Sequence, residues 1–212
     1  MTGKIKLNAA SGGGSVSFQA PSSTGDDRVI TLPTTADGTV LTTTNPKSGN
    51  IIQVIQSRKT DTQSTSSDTK TDISGLSVTI TPSSTSNKLW ITGMVQIGHG
   101  DDTCCNIFID ANGTTIGGST TANGGALSAQ PQDVHTGLGY NYGDNSLVYR
   151  ILPVPIDFLY SPNSTSAQTI KLQMSETDNT GNHMYINRSN SDNNANWVNR
   201  QTSSLTVMEV AG

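Results

Sequence analysis

The chain has 212 residues, of which 30 are Thr, 26 Ser and 18 Asn, whereas charged residues make up 13% and Glu occurs twice. Short polar side chains of this kind compete with the helix backbone for hydrogen bonds. With 21 Gly and 8 Pro they exclude a helical protein and point to strands separated by turns. A formal net charge of -4, an isoelectric point near 5.1 and the lack of any Lys/Arg cluster exclude the electrostatic footprint of a nucleic-acid binder.

The apolar fraction, 32%, is low for a globular chain. Its apolar residues are gathered in short β-branched runs, which favours an ordered domain that completes its burial by self-association over disorder. No apolar stretch reaches membrane-spanning length and the N-terminus lacks the apolar centre of a secretory signal, so membrane insertion is not expected. Cys104 and Cys105 are adjacent and would point to opposite faces of a strand; they cannot frame a disulfide scaffold, and a reducing place of synthesis fits. The acceptor-type triplets at Asn112, Asn163 and Asn187 follow from composition alone in so Asn/Ser/Thr-rich a chain.

In chain order, residues 1–48 read as an extended arm. A flexible Gly12-Gly13-Gly14 point and three tiny apolar runs, Val16 to Phe18, Val29 to Leu32 and Val40-Leu41, cannot build a core by themselves. Residues 49–212 read as an all-β head. Strands are predicted at Ile51 to Ser57, Leu76 to Ile80, Leu89 to Ile97, Cys105 to Asp110, Thr114 to Ile116, Ser146 to Leu152, Ile156 to Tyr160, Ile170 to Met174, Met184 to Arg188 and Leu205 to Val210. Leu89 to Ile97 is long enough to be central and apolar on both faces, with Gly93 marking a bulge or close packing. Asp110-Ala111-Asn112-Gly113 is a hairpin signal. Eight to ten strands without an internal repeat suit an antiparallel β-sandwich or jelly roll. Gly117 to Gln132 and Ser189 to Thr202 are the long connections, the kind that carry binding sites.

Several groupings carry residue types capable of chemistry. His99-Gly100-Asp101-Asp102-Thr103-Cys104-Cys105 is the densest set of metal-ligand types, but consecutive residues in a turn do not converge on one ion without distant partners such as His135 or His183, and a polar turn into a strand explains it better. Glu176 and Glu209 are the only glutamates, and no Asp stands in an acid or nucleophile motif. With Gly-x-Ser-x-Gly and Gly-x-Gly-x-x-Gly also absent, no enzyme activity, metal or cofactor is expected. Recognition needs less: Trp197 lies among Asn196, Asn199 and other asparagines, and Tyr140, Asn141 and Tyr142 form a second aromatic-amide group. Rigid rings with adaptable amides are the chemistry of sugar and protein-surface binding. Packing of Trp197 inward, to pin a long loop, is the competing reading.

The segment from Lys4 through Gly12-Gly13-Gly14 to Pro21, followed by Ile30-Thr31-Leu32-Pro33 and Gly38-Thr39-Val40-Leu41, resembles a module near the start of tail fibre and other appendage proteins of tailed bacteriophages, marine and cyanobacterial ones especially. The remainder, opening with Ile51-Ile52-Gln53-Val54 and closing with Leu205-Thr206-Val207-Met208-Glu209-Val210, resembles the trimeric jelly-roll heads at fibre tips, similar in layout to tumour-necrosis-factor-type heads. The resemblance implies a virion protein made in the host bacterial cytoplasm, with Lys4, Ile5, Lys6, Leu7, Val16 and Phe18 attaching to tail, portal-adaptor or capsid proteins. It also implies a homotrimer, for which Trp90, Ile91, Met94 and Val95 are the candidate contacts, and a head that engages a host glycan or protein. About two linker residues separate module and head where fibres of this type often have a long shaft, which leaves tail-fibre and capsid-decoration or head-fibre roles both open.

Overall fold

The computed structural model describes residues 4–8, 11–19, 25, 46–99, 105–117, 149, 151–176, 183–193, 195, 196 and 198–212. The chain divides into two units, Met1–Val40 and Leu41–Gly212.

In the first unit, β1 (Lys4–Asn8) and β2 (Ser15–Gln19) form an antiparallel hairpin with Ile5 opposite Phe18 and Leu7 opposite Val16. Gly12 and Gly13, at φ of +83° and +69°, supply left-handed backbone at the turn without a β-carbon penalty. The alternation places Ile5, Leu7 and Phe18 on one face, half to two-thirds exposed, and both lysines on the other. The predicted runs at Val29 to Leu32 and Val40-Leu41 lie outside the described residues.

The second unit is an antiparallel sandwich. One sheet has the order β5 (Thr71–Ile80), β10 (Gln168–Glu176), β7 (Cys105–Ala111), β8 (Thr114–Ile116). The other is centred on β6 (Lys88–His99), with β9 (Leu152–Tyr160) along one edge and β12 (Ser203–Val210) along the other, followed outward by β3 (Ile51–Lys59). Ile97 of β6 pairs with both Leu152 and Ile186, so β11 (Met184–Ile186) continues the edge that β12 occupies. Beyond it, β4 (Gln63–Thr65) continues the line of β3. The orders β3-β12-β6-β9 and β5-β10-β7-β8 are those of a jelly roll.

The core lies between the sheets. Leu89, Ile91, Val95 and Ile97 of β6, with Val154, Ile156, Leu205 and Val207, meet Ile73, Leu76, Val78, Ile107, Ile109, Ile170, Leu172 and Met174, all buried. Val, Ile and Leu at alternate positions make this face because branched side chains pack well on a pleated surface. Gly93 is the close approach expected there: a β-carbon would be driven into the carbonyl oxygen of Ser204 on β12. Asn112 and Gly113, at φ of 52° and 87°, make the two-residue turn between β7 and β8.

Most strands run one or two residues beyond the predicted bounds, and three boundaries differ for a local physical reason. β5 begins at Thr71 rather than Leu76, because a bulge at Ser74-Gly75, with Gly75 at φ +81°, breaks the alternation and puts Ile73 and Leu76 on the same face. β9 runs from Leu152 through Pro153 and Pro155, ahead of the predicted start at Ile156, while the predicted run Ser146 to Leu152 lies largely outside the described residues. Both prolines stand on the same side of a strand whose paired edge is taken by β6, so their missing N–H groups fall on the other edge. β11 stops at Ile186 instead of Arg188, since Asn187 turns left-handed at φ 63°.

Candidate functional site

β11 and β12 occupy the same line of the sheet, and the 187–202 segment leaves that line and returns to it. Its two ends are closed on each other by an antiparallel bridge between Arg188 and Arg200 and by Gln201 N–H donating to the Asn187 carbonyl at 3.0 Å. Such a closed excursion is an Ω-type loop on a rigid sheet.

The root is stitched by buried polar groups. Asn187 is fully buried; its side-chain amide donates to the carbonyls of Lys59 at 3.0 Å and Asp61 at 2.8 Å, and its Oδ1 accepts from the Ser203 hydroxyl at 2.6 Å. Ser203 Oγ in turn accepts the backbone N–H of Gln96 at 2.9 Å. Lys59, also buried, directs Nζ to both oxygens of Asp61, at 3.0 and 3.1 Å, and to Ser74 Oγ at 2.9 Å in the β5 bulge. Satisfied amides and hydroxyls of this kind hold a loop in one place because every broken bond would strand a buried partner. Gly98 belongs to the same construction: a β-carbon there would collide with the Arg188 carbonyl and the Ser189 Cα, so the loop passes over β6 at a residue without a side chain.

Above the root, the Arg188 guanidinium lies 3.9 Å from the Tyr185 ring centre, and the His183 ring stacks on Tyr185 with centroids 5.9 Å apart. Arg188 Nη1 also donates to the carbonyls of Ser189 and Asn190. Asp192 accepts from Arg200 in fork geometry, Nε to Oδ1 and Nη2 to Oδ2, both 3.0 Å, with Arg188 Nη1 at 3.8 Å. Asp192, Asn193, Ala195, Val198 and Arg200 line a cavity of about 290 Å³, at the small end of the size range for ligand pockets.

Of the recognition residues read from sequence, Asn196 and Asn199 belong to this excursion, whereas Tyr140, Asn141, Tyr142 and Trp197 lie outside the described residues. Sequence reasoning missed Asn187, Arg188, Asp192 and Arg200. The first passed for compositional noise, and the charged three stand in a polar run with no periodicity.

The four residues proposed for self-association separate by face. Ile91 and Val95 are fully buried in the sandwich core and so are not available to another copy; Trp90 and Met94 point outward. Trp90 belongs to a row that crosses four strands, Val54, Met208, Trp90 and Leu159, set side by side by the sheet register. Val54 is 56% exposed, Trp90 39% and Leu159 50%. The residues expected from sequence to serve attachment, Lys4, Ile5, Lys6, Leu7 and Phe18, all lie in the β1–β2 hairpin, as does the backbone of Val16.

The glutamates divide likewise. Glu209 is fully buried on β12 and its Oε1 accepts from the Ser83 N–H at 2.6 Å, the Ser83 hydroxyl at 2.8 Å and the Asn87 amide at 2.5 Å, while Oε2 accepts from Gln53 at 2.6 Å. Burial pushes its carboxyl upward, but the bonds from Asn87, Ser83 and Gln53 outweigh this and hold it below the usual carboxylate range. A carboxylate so fully engaged ties β12 to β3 and the 81–87 turn. Glu176 is buried at the end of β10, opposite Cys105 of β7. His99 and Cys105 end β6 and begin β7, while residues 100–104 lie outside the described residues. Among the described residues no group of three or more His, Cys, Asp or Glu is placed to hold a metal ion.

No family model and no curated protein matches this sequence. Among solved structures it is similar to the infectious bursal disease virus VP2 subviral particle, with 15% identity and a TM-score of 0.39 over 93% of this chain. It is also similar to the protein of T=1 particles derived from the same virus, with 14% identity and a TM-score of 0.36 over 93% of this chain. The chain spans about half the length of those proteins, 47% and 46%. At that level of likeness no role passes from them to this chain.

Proposed function

We propose that this chain is a structural protein of a tailed-bacteriophage virion, a short tail-fibre-type homotrimer attached through its N-terminal unit and binding the host surface through its head. One observation carries the reading: the jelly roll offers two differently equipped surfaces. The outward face of the β3-β12-β6-β9 sheet bears the apolar row Val54, Met208, Trp90, Leu159, suited to copies of itself, whereas the excursion at 187–202 is polar and rigidly rooted, suited to a ligand. The amphipathic β1–β2 hairpin needs cover for Ile5, Leu7 and Phe18, since a two-stranded sheet is marginal alone, and virion proteins would provide it. The N-terminal sequence phrase supports the phage assignment. The test is light scattering of the full chain at micromolar concentration with adhesion to host cells: a trimer that adheres is expected, and a well-folded monomer would overturn the proposal.

The apolar row also favours a second reading, a capsid decoration or head-fibre protein whose sheet packs on neighbouring subunits. Labelling of virions in negative stain separates the two. Density around the tail is expected from the fibre, and density on capsid faces from the decoration protein.

A further inference from the structure

Within the receptor-binding reading, on which this inference rests, the cavity at the tip of the 187–202 excursion has a definite chemistry. Arg200 uses its Nε–H and one Nη2–H on Asp192, which leaves three N–H donors of the guanidinium. Asp192 accepts two bonds from Arg200 and retains lone pairs on both oxygens. Donors and acceptors therefore alternate along one planar edge, which is partly open because the Arg200 side chain is 64% exposed while Asp192 is held at 23%. Two neighbouring hydroxyls, each able to give and to take a hydrogen bond, match such an edge. A free carboxylate or phosphate does not, because it would face the Asp192 carboxylate. Asn193 adds an amide donor beside an Oδ1 that already accepts from the Ala195 N–H at 3.3 Å, and Ala195 and Val198 supply a small apolar wall for the C–H side of a ring. The site is held before any ligand arrives: Arg188, clamped between the Tyr185 ring and the loop carbonyls, stands behind Asp192, and Asn187 fixes the base. A site ordered in advance avoids the cost of ordering a loop on binding.

We propose that this cavity is a subsite for a neutral sugar bearing a vicinal diol, the unit by which the head holds a host surface polysaccharide. Single-site affinity would be weak, and three copies on one particle would raise it through shared attachment.

The experiment is saturation-transfer NMR of the full-length protein with the methyl glycosides of mannose, galactose, glucose and rhamnose. Adhesion of the same protein to host cells is measured in parallel. Transfer to at least one glycoside is expected, concentrated on the protons of adjacent hydroxyl-bearing carbons. Asp192→Ala, Asn193→Ala and Arg200→Lys should each weaken it at least tenfold, the last because lysine keeps the charge but not the fork. Thr79→Ala, on the other sheet, should leave it unchanged, and thermal melts establish that each variant is folded. Because Asp192→Ala removes an ion pair of the loop itself and Asn193→Ala the bond that its Oδ1 accepts from the Ala195 N–H at 3.3 Å, Asn193→Asp, which keeps that acceptor and removes the amide donor, is expected to weaken transfer likewise and decides the matter if either variant melts early. Transfer to none of the four glycosides, or transfer indifferent to Asn193→Ala and Arg200→Lys, would overturn the subsite. Wild-type adhesion that persists in those variants overturns the subsite but leaves host attachment standing, whereas a folded wild-type trimer that does not adhere overturns the receptor-binding reading itself.

Discussion

The hydroxyl of Ser203 donates to Oδ1 of Asn187 at 2.6 Å, and both residues are fully buried although sixteen positions apart in the chain. This bond joins the first residue after β11 to the first residue of β12, and so closes the excursion at its base.

Asn187 contributes in two separable ways, as a hydrogen-bonding hub and as a residue tolerant of φ 63°. Asn187→Gly keeps the backbone freedom but leaves the Lys59 and Asp61 carbonyls without this donor, and is expected to cost about 1–3 kcal/mol. Asn187→Ala adds the strain of a β-carbon in left-handed backbone, about 1–2 kcal/mol more. Urea denaturation of the two variants against wild type measures both contributions, and equal destabilisation would contradict the separation.

Glu209 makes the stability of the head depend on pH in one direction. Its folded pKa lies below the ordinary 4.5, so the unfolded chain binds the proton more readily. The stabilisation is therefore complete above pH 4.5 and drains away as pH falls through the lower, folded value. Glu209→Gln keeps one oxygen for the Ser83 and Asn87 donors but turns an NH2 toward the Gln53 amide, and is expected to cost about 1–3 kcal/mol at pH 7. Denaturation at a series of pH values should show the gap between wild type and variant narrowing below pH 4.5; a gap that stays constant to pH 3 would contradict the assignment.

Gly98→Ala is expected to displace the excursion while sparing the sandwich. The added β-carbon meets backbone of Arg188 and Ser189, which cannot swing aside as a side chain would. Amide hydrogen exchange should increase across 187–202 with little change in β5, β7 and β10. Unchanged protection in the excursion would show that the close approach is unimportant.

Val54→Glu combined with Leu159→Glu places two charges in the outward apolar row. Both positions are about half exposed in the single chain, so its fold should lose no more than ~1 kcal/mol. The proposed trimer should dissociate to monomer by light scattering, and an unaltered trimer would move the contact to another surface.

Much of the head was legible because its inward faces follow period two without interruption: Leu89, Ile91, Val95 and Ile97 on β6, or Leu205 and Val207 on β12, each next to a polar or outward neighbour. The same signal failed at β5, where the Ser74-Gly75 bulge shifts the phase, and it set the end of β11 too late because Asn187 leaves the strand in a conformation its side-chain type only permits. Facing both ways, β6 suggested four self-association contacts, but alternation allows only every second residue outward, hence Trp90 and Met94 and not Ile91 and Val95. The Asp192–Arg200 fork was invisible for a different reason. It joins residues eight apart across a closed loop, a distance set by no helical or strand period.

Because the excursion departs from and rejoins a single line of the sheet, with Arg188 paired to Arg200 at its neck, what lies between is a detachable cassette. Lengthening it would shift no strand register, and closing a loop of twice the length costs only about 0.6 kcal/mol more. A lineage carrying this protein has, in the eleven positions 189–199, a place to change sequence and length while the jelly roll beneath continues to fold as before.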